Sequence, residues 1–221
     1  MRLAFISDVH ANFEALDALS DVLAGADRIF CLGDMVGYYC QVNEAIDRLR
    51  QLGALCILGN HDNFLLNGCP PDAKPAVQFG IEQADLLISD SNRQWLGTLP
   101  LTWGIIVGGR SILLVHGSPW QPLEGYLYAD NPQMARLDQF DYDMIVWGQT
   151  HRALQRLDRK PILLNPGSVG QSRDRRARAC AMIVDTATMA VEIIECPYDS
   201  GPVMELAIAN GAGEWISKHL R

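Results

Sequence analysis

The sequence predicts an α/β fold, a four-layer α-β-β-α sandwich of two mixed sheets flanked by helices, on three observations. In the amino-terminal third, short apolar runs alternate with amphipathic stretches, as in βαβαβ units. In the second half, strand-like runs follow one another across turn residues with few helical stretches between them. Five runs, at residues 3–6, 29–32, 55–58, 112–115 and 144–147, each lead directly into a polar cluster. If these strands lie side by side, the clusters converge at their carboxyl ends, where layered α/β folds place ligands.

Taken in order, the strand at 3–6 precedes a helix over 12–23, marked by Phe13, Leu16, Leu19, Val22 and Leu23. A second helix over 42–52, with Val42, Ala45, Ile46 and Leu49 on one face, stops at Gly53. Right-handed crossovers then make the first three strands parallel. Three prolines and a glycine between 65 and 75 predict a loop, followed by a helix over 76–89 through Val77, Ile81, Ala84 and Ile88. Ser91 can cap a short helix over 92–97 before Pro100. Further strands are expected at 104–107, 162–164, 179–184 and 190–194, with one more helix at 132–140. Arg173, Arg175, Arg176 and Arg178 read as a solvated hairpin tip between two strands. Residues 204–221 read as two short docking helices bearing Leu206, Ile208, Trp215, Ile216 and Leu220; His219 there has no assigned role.

A length of 221 residues suits one domain spanning 1–221. With 48% hydrophobic and 20% charged residues, the chain can fill a core, which excludes a mainly disordered protein. The formal charge of −8 argues against binding a nucleic-acid backbone, so attraction for a phosphate ester must be local. No apolar stretch is long enough to span a bilayer, and the chain begins directly with a strand, so a cytoplasmic protein without membrane attachment is expected. The six cysteines form no Cys-x-x-Cys pair; Cys31, Cys56 and Cys180 fall in apolar runs and read as reduced core thiols. Cys40 and Cys69 lie in loops without a cationic neighbour to activate them.

The chemistry is concentrated in the ordered series Asp8-Val9-His10, Gly33-Asp34, Gly59-Asn60-His61-Asp62, His116-Gly117 and Gly148-Gln149-Thr150-His151. Aspartate and histidine suit Mn, Fe, Zn and similar divalent ions, and one aspartate can bridge two ions with its two oxygens. Two ions so held can generate a hydroxide and neutralise the charge of a phosphoryl transition state. A single such cluster would be unremarkable, since a lone histidine after a strand is usually a satisfied surface or core residue. Five in series are not.

The series resembles the calcineurin-like metallophosphoesterase superfamily, whose pattern runs Asp-x-His, Gly-Asp, Gly-Asn-His-Asp/Glu, His and Gly-His-x-His. The tract from Leu164 through Asn165-Pro166-Gly167-Ser168 to Asp174 is similar to the small prokaryotic YfcE-like phosphodiesterase branch. The resemblance implies a metal-dependent phosphoesterase working through a metal-bridging hydroxide. It implies Asp8, His10, Asp34 and His151 at a first metal, with Asp34 bridging to a second completed by Asn60, His116 and the residue at 149. His61 would protonate the leaving oxygen or stabilise phosphoryl charge, with Asp62 orienting its ring. Two divalent ions are implied, Mn first, then Fe, Ni or Zn.

Gln149 departs from the family histidine and makes the second site weaker, amide-coordinated or water-completed. Ala11 replaces a glycine, and Gly33-Asp34-Met35 lacks the Asp-Arg-Gly of serine/threonine protein phosphatases. The leading reading is a phosphodiesterase of small phosphate esters, nucleotides among them. The alternatives are a phosphomonoesterase or dinucleotide hydrolase with an altered second site, and a non-catalytic scaffold on a degenerate site. Neither the substrate nor a homo-oligomeric state is fixed. Asn12 either caps the first helix or binds a substrate phosphate, and Arg173 could reach that phosphate from the rim. Residues 165–168 read first as a tight turn and second as support for His151. Tyr38, Tyr39, Trp120, Tyr126 and Tyr128 are expected to pack rather than stack on a nucleobase.

Overall fold

The computed structural model describes residues 1–173, 177–213 and 216. The first sheet is built from β1 (Arg2–Ile6), β2 (Arg28–Cys31) and β3 (Leu55–Cys56), which are parallel, with β9 (Arg178–Asp185) antiparallel to β1 and β10 (Val191–Pro197) antiparallel to β9, in the order β10-β9-β1-β2-β3. The second is β4 (Thr102–Val107), β5 (Arg110–Val115), β6 (Met144–Trp147), β8 (Ile162–Pro166) and β7 (Ala153–Arg156), in the order β4-β5-β6-β8-β7. Its central three strands, β5, β6 and β8, are parallel, and both edges are antiparallel.

The predicted sandwich follows from the alternation of side chains along these strands. Leu3 and Phe5 of β1, Ile112 and Leu114 of β5, and Met144 and Val146 of β6 meet in the inter-sheet core. Their neighbours Ala4 and Ile6 face the helices of the first sheet, while Leu113, Val115, Ile145 and Trp147 face outward on the second. Both faces of these strands are thus covered, which is why they read as continuous apolar runs.

The helices are α1 (Phe13–Asp17), α2 (Ser20–Ala24), α3 (Val42–Gln51), α4 (Asn60–Asn67), α5 (Pro75–Leu87), α6 (Asp90–Leu96) and α7 (Gly201–Ala209). The single helix predicted over 12–23 is two, because the turn at Leu19 tightens to a bond from its N–H to the Leu16 carbonyl, keeping Leu16, Leu19 and Leu23 buried together. The loop expected from residue 65 begins only after α4. That helix starts inside the polar Gly-Asn-His-Asp cluster, where the Asp62 carboxylate accepts from the Gly59 N–H at 3.0 Å. Ser89, not Ser91, caps α6. Residues Pro132–Gln139 form a 3-10 rather than an α-helix.

Arg173 and Arg178 do not flank a hairpin: β8, before Arg173, and β9, which begins at Arg178, belong to different sheets. Arg178 pairs with Glu195 at 2.8 Å. Arg175, Arg176, Trp215, His219 and Leu220 lie outside the described residues. The cysteines are free thiols, and burial pushes Cys40 up to about 11, which keeps it unreactive. Among the described residues no helix is long and apolar enough to cross a membrane.

Candidate metal centre

All the polar clusters sit at carboxyl ends of parallel strands, from β1, β2 and β3 on one sheet and β5 and β6 on the other. The chain turns sharply there. Asp8, His10, Ala11, Asp34, Gln149 and His151 all have φ between +53° and +66°. Asp and His tolerate this left-handed region better than most side chains, and its concentration at one place marks strain kept for function. Backbone bonds lock neighbouring turns together, from Asp8 N–H to Gly33 O (3.0 Å), His10 N–H to Asp34 O (2.9 Å) and Gly148 N–H to His116 O (2.9 Å). Gly59 is required: a Cβ there would stand 2.2 Å from the Asp34 amide nitrogen.

Three histidines share one arrangement. Nδ1 of His10 donates to Val36 O (3.1 Å), that of His116 to Leu32 O (2.6 Å) and that of His151 to Gln171 O (2.6 Å). A carbonyl can only accept, so each Nδ1 carries a proton and each Nε2 is the nitrogen left to face the carboxylates. Those Nε2 atoms converge on carboxylates: His151 lies 3.3 Å from Asp8, His116 3.4 Å and His10 3.7 Å from Asp34. His10 Nε2 and His151 Nε2 are only 3.2 Å apart, and His116 Nε2 is 3.0 Å from Asn60 Oδ1. Both oxygens of Asp8 are buried and accept no hydrogen bond among the described residues.

The result is a buried cluster of carboxylate oxygens and imidazole nitrogens, the two Asp8 oxygens unpartnered among the described residues, which calls for cations at its centre. Asp8, His10 and His151 form one group whose ligand atoms lie within 4.8 Å of one another; Asp8, Asp34 and His116 form another, and His10, Asp34 and His61 a third. The residues present therefore fit divalent metal ions, as their donor types lead one to expect. Electrostatics agree. Burial alone would raise the Asp34 carboxyl, but His116, His61 and His10 hold it far below the usual range. Burial depresses His116, yet the Asp34 carboxylate outweighs this and lifts it to about 10. Burial and the neighbouring histidines lower His10, and burial lowers His61.

Gln149 is buried, with Nε2 donating to Leu123 O at 3.3 Å, which fixes the amide orientation and leaves Oε1 without a donor among the described residues. His61 also lies in the cluster, its Nε2 4.0 Å from Asp34. Its ring packs against Tyr38 (5.0 Å) and over Gly37, where a Cβ would meet Nδ1 at 2.2 Å.

Two expected roles are corrected. Asp62 does not orient His61: its two oxygens accept from the backbone N–H groups of Asp34, Met35, Val36 and Gly59 at 2.8 to 3.1 Å. Burial and the Asp34 charge push it up to about 7, against the pull of those donors. Asn12 is not placed to bind a phosphate. It is fully buried, its Oδ1 caps α1 through the Ala15 N–H, and its Nδ2 donates to Gly170 O and the Tyr198 hydroxyl.

The turn at 165–168 supports both metal-facing loops. Asn165 Nδ2 donates to Gly148 O (2.8 Å) and Ser168 Oγ to Asp8 O (2.9 Å). Tyr38 and Tyr39 are buried as expected, and Trp120 packs on Phe140. Tyr126 and Tyr128 pack by stacking on each other, while remaining 50% and 39% exposed. Arg173 is exposed and hydrogen-bonds the Tyr38 side chain, which touches His10 and His61. Sequence reasoning missed Arg152, although it directly follows His151. The carbonyls that fix the histidine tautomers carry no residue-specific signal at all.

Comparison with known proteins gives a family match over residues 1–189 to the calcineurin-like phosphoesterase superfamily domain. An uncharacterized protein of Methanocaldococcus jannaschii is 32% identical over 238 residues, covering 99% of this chain and 96% of the relative. A metallophosphoesterase structure from Sphaerobacter thermophilus superposes with TM-score 0.84 at 28% identity, over 99% of this chain and 97% of that one. The phosphoesterase Yfce from E. coli shares the fold at TM-score 0.51 and 18% identity, over 89% of this chain and 100% of that one.

Proposed function

Since this chain belongs to the calcineurin-like phosphoesterase superfamily and is a phosphoric ester hydrolase, we propose that it is a phosphodiesterase working with two divalent ions, Mn first among them. The observation that carries this reading is the convergence of buried ligand atoms of Asp8, His10, Asp34, His116 and His151 to within 4.8 Å of one another in two groups, both of which include Asp8, whose two oxygens have no hydrogen-bond partner among the described residues. Asp8, His10, Asp34 and His151 would hold one ion, and Asp34, Asn60, His116 and the Gln149 amide oxygen the other. Bound there, two ions would supply a water of lowered pKa and neutralise charge on the phosphoryl oxygens.

The chain's own residues do the rest. An orphaned acceptor costs less than an orphaned N–H, so the partnerless Nδ1 of His61 is left bare and its proton sits on Nε2. That N–H is a donor among acceptors, aimed where negative charge develops as the bond from phosphorus to the leaving oxygen breaks and water adds. Burial, which lowers the His61 pKa, keeps the ring neutral, so its role is to donate a hydrogen bond to the departing oxygen. Arg173, held by Tyr38 at the rim, offers a cation to the substrate's negative charge in a protein whose net charge is −8. Asp62 acts as a positioning residue through the Asp34–Val36 backbone.

Asp34→Asn tests the reading. The variant is expected to lose bound metal and at least ~10³-fold in turnover of bis(p-nitrophenyl) phosphate with added Mn. Wild-type turnover in that variant would overturn it.

A further inference from the structure

His151 is flanked by two arginines from different segments. Arg152 follows it directly, and Arg173 comes from the crossover between the sheets. Together with His151 they line a cleft of about 460 Å³ that also includes Ser172 and Glu195. The negative charge of Glu195 is answered by Arg178 at 2.8 Å. Arg152 enters no ion pair among the described residues. Its guanidinium lies 5.9 Å from the centre of the Tyr128 ring, between this cleft and a second of about 510 Å³ lined by Tyr128, Asp130 and Thr150. Arg152, in no ion pair among the described residues, and Arg173, bonded to Tyr38, thus bring two guanidinium groups into one cleft with a metal-facing histidine, an arrangement that an anion can bridge. Either arginine can take a phosphate bidentately.

Resting on the phosphoesterase reading above, we propose that Arg152 and Arg173 form a second anion subsite beside His151. The substrate then carries a further phosphate beyond the ester at the metal centre: it is an organic diphosphate or polyphosphate ester. The exposed Tyr126–Tyr128 pair, beside the second cleft, offers an aromatic surface to the organic group.

The test is calorimetric binding of AMP and ADP to the Mn-loaded protein and to its Arg152→Gln, Arg173→Gln and Arg152→Lys variants, with bis(p-nitrophenyl) phosphate turnover measured in parallel. ADP is expected to bind wild type about tenfold or more tightly than AMP, as one added charge-assisted phosphate contact requires. Each glutamine variant is expected to cut that ratio several-fold, while Arg152→Lys, which keeps the charge, retains most of it. A ratio near one in wild type, or one unmoved by both glutamine variants, overturns the subsite. Turnover reports separately: an ADP preference that depends on both arginines, in a protein inert toward the diester, would leave the subsite standing and sink the phosphodiesterase reading. An active enzyme without the preference does the reverse.

Discussion

His116 shows most directly how a single residue is tuned by its surroundings. Its Nδ1 proton is fixed on the Leu32 carbonyl, and the Asp34 carboxylate holds a second proton on Nε2 up to about 10. A metal must displace that second proton. One proton released per ion means that affinity at this site rises about tenfold per pH unit between pH 7 and 9. Titrations in two buffers of different ionisation heat at pH 8 are expected to count that proton. In the metal-free protein the sign is opposite: a raised histidine contributes stability that is full below its unfolded value of 6.5 and is lost as pH rises through about 10. Gln149 is the second informative residue. It holds a long side chain at φ +66° with its amide oxygen unpartnered among the described residues, and on the proposed reading that oxygen would be the weakest ligand of the set. Gln149→His is expected to tighten the second ion by about tenfold or more and bring metal content close to two per chain under limiting Mn, read by elemental analysis. An unchanged stoichiometry would remove position 149 from the site. The residue types at 8, 10, 34, 60, 116, 149 and 151 were legible in the sequence, because ligand chemistry belongs to the side chain itself. The tautomers were not, because they depend on carbonyls 20 to 84 residues away.

At the scale of elements, α4 and the β2 turn are one unit held by Asp62. Four backbone N–H groups converge on its carboxylate, one from the start of α4 and three from the turn carrying Asp34. Asp62→Asn turns an NH2 group toward some of these donors and leaves them unmatched. A loss of about 2–3 kcal/mol is expected, seen as a fall of roughly 5–10 °C in Tm together with weakened metal binding. Unchanged melting would show that the donors find other partners. This element was missed because its first turn is polar and reads as a ligand motif rather than as a helix start. The edge strand β7 was missed because Ala-Leu-Gln-Arg alternates between exposed and half-buried positions with little apolar signal. Strands β1, β2, β5 and β6 were legible because burial on both faces leaves an unbroken apolar run.

In the whole molecule, the centre joins the two sheets at one end of the sandwich. Asp8, His10, Asp34 and Asn60 come from the first sheet, and His116, Gln149 and His151 from the second. Ions that bind only the folded chain should therefore stabilise the sandwich as a unit. At a free metal concentration near a thousand times Kd, EDTA treatment is expected to remove about 4 kcal/mol and lower Tm by roughly 10 °C, restored by Mn. A Tm insensitive to both additions would argue that no ion is held between the sheets. The sequence by itself determined the α/β class, the strand ends as the place of chemistry, and the donor atoms available there. Each of these rests on local alternation and residue identity. Only the tertiary structure decided that Asp62 serves backbone rather than ring, that Asn12 is a cap, that β8 and β9 belong to different sheets, and that Arg152 and Arg173 flank one histidine. Those outcomes depend on groups as far apart in the chain as Asp8 and Ser168, brought together by two sheets closing on a common core, and no local pattern encodes such a meeting.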